Sequence, residues 1–144
     1  MFSDLAKKTT KTALGSKIEQ KGQFDYLSWA HSVHEVAMEY PDFTFEVRDF
    51  PQLFTRKDGE EIVYYTLDGV TVPYNRTSTG YYVEVSVTVG KVTRTQIHPV
   101  LDGRNQPIAK PNSFQINTSI QRCLSKACAL HGAGLSLYAG EDLV

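Results

Sequence analysis

Between Asn112 and Leu130 the apolar residues recur at intervals of three and four. Ile116, Ile120, Cys123, Leu124, Ala127 and Leu130 therefore make one stripe of a helix. Arg122 and Lys126, four apart, lie together on another face of it. Asn112, with Gln115 three positions on, has the form of a capping box at the start. Gly132-Ala133-Gly134 reads as the stop that lets the chain turn back. A helix of this kind must bury one side against another element, and it can hold two neighbouring cations toward a polyanion while doing so.

The element it can lie on precedes it. Tyr81 to Val89 and Val92 to Leu101 alternate around Gly90-Lys91, the strongest β signal in the chain. A two-residue turn would set Val87, Val85 and Val83 opposite Arg94, Gln96 and His98, mixing apolar and polar groups on one face. One extra loop residue pairs Val87 with Thr95, Val85 with Ile97 and Val83 with Pro99, which separates the faces better. The expected hairpin therefore has a three-residue or bulged turn, with Arg94 on the outer face beside Tyr82 and Thr88. Upstream, Phe43 to Phe50 alternates like a half-buried strand, Lys57-Asp58-Gly59-Glu60 is a turn, and Ile62 to Leu67 is a further strand. Tyr26, Trp29, Ala30, Val33, Ala37 and Tyr40 form an earlier helical stripe, capped by Asp25 or Ser28 and ended by Pro41. Asp102 to Pro111 is a loop. The predicted fold is α+β: an antiparallel sheet of three to four strands crossed by the long C-terminal helix, with an N-terminal helix. Residues 1–22, rich in Lys, Thr, Ser and Gly, are expected to be a flexible basic arm, and residues 23–144 a single core domain.

Composition excludes several classes. At 144 residues with 41% hydrophobic and 22% charged side chains, the chain is ordinary globular protein. No apolar run is long enough to cross a bilayer, and Met1-Phe2-Ser3-Asp4 lacks the apolar core of a signal peptide, so a soluble, intracellular protein is expected. Cys123 and Cys128, five apart on the helix, point to different sides and are expected to be reduced and packed. His31-x-x-His34-Glu35 has the wrong order for the zinc-protease motif, and no third ligand is evident. No Gly-Lys-Ser or Gly-Lys-Thr occurs, so an ATP-driven motor is disfavoured. Asp58, Glu60 and Glu61 sit on a turn and Glu141-Asp142 near the last residue, which is not the converging acid set a nuclease needs. No metal, no cofactor and no enzymatic activity are expected.

The net charge of −1 hides an uneven distribution: +3 over residues 1–24, −7 over 25–69 and +5 over 70–140. The basic part holds Arg76, Lys91, Arg94, Arg122 and Lys126, and this pattern suits a cationic surface for nucleic acid. Eight tyrosines, seven phenylalanines and one tryptophan are more than a few core layers need. Most, Trp29 and Phe45 included, are expected in the core, with Tyr82 and Tyr74 left to stack on bases. The candidate DNA-binding set is thus Arg122, Lys126, Arg94, Lys91, Tyr82 and Arg76.

Tyr26-Leu-Ser-Trp29-Ala, Ile116-Asn117, Arg122-Cys-Leu124, Lys126-Ala127, Ala129-Leu-His-Gly132 and Tyr138-Ala-Gly-Glu-Asp-Leu143 together resemble the bacteriophage Sak-type single-strand annealing proteins. That family is similar in fold to the eukaryotic Rad-group annealing protein and, more distantly, to the Erf and Redβ/RecT recombinases. The resemblance implies ATP-independent binding of single-stranded DNA and annealing of complementary strands in phage recombination, in the host cytoplasm. It implies a homo-oligomer, ring or filament, with DNA in a continuous groove; a phage or host single-strand binding protein is a further partner to expect. In the eukaryotic relative the long helix gives the groove a Lys-Arg-x-x-Arg set. Here the stretch reads Gln121-Arg122-Cys-Leu-Ser125, so Arg122 alone matches and Lys126 substitutes one position later. The alternative is a module that binds and protects single strands without annealing them.

Overall fold

The computed structural model describes residues 2–21 and 24–138. Two short helices, α1 (Phe2–Lys8) and α2 (Lys11–Leu14), lead through a 3-10 turn into strands β1 (Ile18–Lys21) and β2 (Phe24–Leu27). Helix α3 (Trp29–Glu39) follows, with Ser28 as its N-cap accepting from the His31 amide. Strands β3 (Thr44–Val47), β4 (Phe50–Pro51), β5 (Phe54–Asp58), β6 (Glu61–Tyr65), β7 (Thr71–Val72) and β8 (Asn75–Arg76) come next. The long hairpin β9 (Tyr81–Val89) and β10 (Val92–Pro99) precedes helix α4 (Ser113–Leu130).

The main sheet runs β10-β9-β3, with β8 also paired to β9, and all its pairings are antiparallel. Helix α4 covers one face of β9. Val83, Val85, Val87 and Val89 are buried there with Ile116, Cys123, Leu124, Ala127 and Cys128 of the helix, and with Val36 of α3. Burying each valine contributes roughly 1.5–3 kcal/mol, so this seam is the main driving force of the α+β sandwich. The capping box forms as expected: Asn112 Oδ1 accepts from the Gln115 amide at 2.8 Å, and Gln115 Oε1 accepts from the Asn112 amide at 3.0 Å. Both cysteines are buried and unpaired, and burial pushes each thiol up to about 12.

The hairpin register corrects the sequence reading. Val89 pairs with Val92, Val87 with Arg94, Val85 with Gln96 and Val83 with His98, so the turn is the two residues Gly90-Lys91. Gly90 has φ +61° and Lys91 has no positive φ, the form in which glycine takes the first turn position and the twist of the strands is preserved. Arg94 therefore stands on the helix-side face with the valines, away from Tyr82 and Thr88. The mixed face is tolerated because β10 is the border strand of the sheet. Arg94 stays exposed, and only His98 is fully covered, with its ring nitrogen satisfied by the helix. On the other face hydroxyl pairs line up, Ser86 with Thr95 and Thr88 with Thr93, each at 2.7 Å.

Within the N-terminal stretch, Leu5 is 1% exposed in the main core, and Leu14 joins Leu27 and Leu137 in a second cluster. Tyr26 lies in β2; in α3 Ser32 and Val36 are buried, and of the expected stripe Val33 and Tyr40 pack against the core while Trp29 and Ala30 are exposed. Trp29 and Phe45, expected in the core, are 38% and 47% exposed. The strand at β5, which pairs with β6 across Gly59, has no counterpart in the sequence reading. The Gly-Glu-Asp-Leu motif at 140–143 lies outside the described residues. Among the described residues, no helix is long and apolar enough to cross a membrane.

Candidate nucleic-acid interface

Helix α4 is pinned to β10 by its own polar side chains. Ser119 Oγ donates to the Pro99 carbonyl at 3.2 Å and lies 3.0 Å from His98 Nδ1. The Ser119 hydroxyl thus bridges the Pro99 carbonyl and the His98 ring. One turn further, Cys123 Sγ donates to the Gln96 carbonyl at 3.1 Å. Past the last turn, His131 Nε2 donates to the Val87 carbonyl at 2.7 Å, opposite Arg94. The helix thus runs along the hairpin from Pro99 toward the turn. The backbone reverses at Gly134, where φ is +67° and an added Cβ would come within 3.1 Å of Leu27 Cδ2.

That alignment sets where the cations stand. Arg122 and Lys126 are half-buried at the helix–sheet junction, and both act on His98. Burial first, then Lys126 and then Arg122, lower His98 to about 4, against a smaller opposing effect of the Pro99 backbone. His98 is therefore neutral at physiological pH, an uncharged floor beneath two cations. Lys126 Nζ lies 5.9 Å from the centre of the Tyr138 ring, a cation–π contact that holds the ammonium in place. Arg94 is on the same face of β10 as His98, exposed, and Lys91 is exposed in the turn at the end of that strand. The helix–hairpin junction accordingly brings Arg122, Lys126, Arg94 and Lys91 to the β10 side of the molecule.

Tyr82 and Arg76 lie elsewhere. Tyr82 is on the face of the sheet opposite α4, its ring edge-on to Phe50 at 5.6 Å and its hydroxyl accepting from Asn75 Nδ2 at 2.9 Å. Arg76 is on β8, across β9 from β10, and lines a cleft of about 320 Å³ together with Tyr74. His98 and Tyr138 were missed as site residues by sequence reasoning. His98 stood on a strand whose register was misassigned, and Tyr138 is far from Lys126 on any helical wheel. Among the described residues no group of three or more His, Cys, Asp or Glu is placed to hold a metal ion.

The family model of the Sak single strand annealing proteins matches residues 1–144, the whole chain. The chain belongs to the Sak single strand annealing protein family. Binding and annealing of single-stranded DNA follow from membership of the Sak family, the family that the Arg122 and Tyr138 motifs resemble. No curated protein and no solved structure matches this Sak-family chain.

Proposed function

We propose that this protein anneals complementary DNA strands without a nucleotide fuel, in phage homologous recombination inside the host cytoplasm, and that it is not an enzyme. The observation that carries the reading is the row of Arg122, Lys126, Arg94 and Lys91 beside the helix–hairpin junction. Cations on rigid elements neutralise phosphates and leave the bases of an extended strand exposed for pairing. Duplex formation is downhill, so holding the strand in order is all the protein has to supply. One copy offers few phosphate contacts, so a homo-oligomer, ring or filament, multiplies weak contacts into a stable grip.

The test is fluorescence-monitored pairing of complementary oligonucleotides with no nucleotide and no added metal. Faster pairing with wild-type protein, abolished in the Arg122→Ala/Lys126→Ala double variant, is the expected result. Tight single-strand binding with no acceleration of pairing would instead make the protein a strand-protecting module. Failure to bind single strands at low salt would refute both.

A further inference from the structure

Across β9 from the cation row, three small pieces of sheet converge on the cleft of about 320 Å³. Leu53 and Val72 give it apolar walls. Tyr74 and Tyr81 meet edge to face, with centroids 5.6 Å apart and planes at 69°, and form an aromatic corner. Arg76 at the rim is exposed and has no ion-pair partner among the described residues. Gln52 is half-buried, its backbone amide taken by the Val70 carbonyl while its side-chain amide makes no hydrogen bond among the described residues. No lining residue carries a carboxylate.

Each of these features selects against other ligands. With no carboxylate the cleft has nothing to hold a divalent cation, and nothing in it repels a phosphate. An inorganic anion alone would have no use for two rings and two aliphatic walls. The volume is at the small end of ligand clefts, roughly 300–1,000 Å³, a size for one planar group and not for a stacked pair. A nucleobase uses all of it: a π face against tyrosine, donors and acceptors on its edge for a carboxamide, and an adjoining phosphate for a guanidinium.

We propose that this cleft holds one nucleobase of the bound strand, with Arg76 on its phosphate and Gln52 on its edge. The proposal rests on the single-strand reading above and adds to it a second binding point, separate from the β10 cations. A base lodged there is withdrawn from pairing, so the cleft acts as an anchor that an incoming complementary strand must empty.

The experiment is saturation-transfer NMR on the full chain, with thymidine 5′-monophosphate and, separately, deoxyribose 5-phosphate as probes. Saturation of the thymine methyl and H6 protons is expected. It should fall at least about fivefold, a change of about 1 kcal/mol, in a Gln52→Ala/Arg76→Ala variant whose circular dichroism matches wild type. The sugar phosphate should show little. Equal saturation of the base-free probe, undiminished saturation in the variant, or no saturation at all would each overturn the proposal. Absent saturation in a protein that still anneals oligonucleotides removes the cleft alone. Saturation retained in a protein that fails to anneal removes the annealing reading and leaves the cleft.

Discussion

Arg122 and Lys126 owe their significance to a neighbour that carries no charge. His98, held near pKa 4 by burial and by these two cations, reports on both stability and binding. Its folded pKa is below the unfolded value of 6.5, so between those values the unfolded chain binds more protons and stability falls as pH falls. The decrease, on the order of 3 kcal/mol once pH is below about 4, should show as a lowered thermal midpoint, an effect that His98→Asn reduces. Bound phosphate would offset the field of Lys126 and Arg122, so the His98 titration followed by NMR should move to higher pH with an oligonucleotide present. Replacing Arg122 or Lys126 by alanine should weaken binding while the fold is kept. The slope of log affinity against log salt should drop by about 0.7 for each phosphate that is no longer neutralised. An unchanged slope would take that side chain out of the interface.

At the scale of elements, α4 was the most legible part of the sequence because its signals are local. The apolar spacing, the Asn112/Gln115 box and the glycine stop act within a few residues of themselves, and all appear in place. Asn112→Ala should cost about 1 kcal/mol, read as a lower thermal midpoint. Ser125→Ala should do the reverse. The Ser125 hydroxyl is fully buried with no hydrogen-bond partner among the described residues, so its removal should raise the midpoint, by up to about 1 kcal/mol. The hairpin shows the limit of local reasoning. Separation of faces favoured an extra loop residue, yet Gly90 closes a two-residue turn. The polar residues this turns inward were unreadable as such, because their cost depends on how far α4 overhangs β10. His98 is tolerated there only because Ser119, 21 residues away, meets it.

The whole molecule is closed by contacts between its ends. Thr9, fully buried, donates to the Leu5 carbonyl at 2.6 Å and accepts from the Gly134 amide at 2.8 Å, joining the first helix to the turn after the last one. Thr9→Val should leave the Gly134 amide unpaired and cost roughly 1–3 kcal/mol, measurable by denaturant unfolding. A change near zero would restore the free arm that the polar composition of residues 1–22 suggests. The sequence by itself determined the α+β class, the cap, stripe and stop of α4, the reduced cysteines and, through the Arg122 and Tyr138 motifs, the annealing family. Periodicity and short motifs encode these within a window of a few residues. Tertiary structure alone decided the hairpin register, the burial of Leu5, Thr9 and Leu14, the gathering of Arg122, Lys126, Arg94 and Lys91 on one side, and the separate cleft at Arg76. Each of these depends on which distant surfaces meet, and no local pattern of residues specifies that.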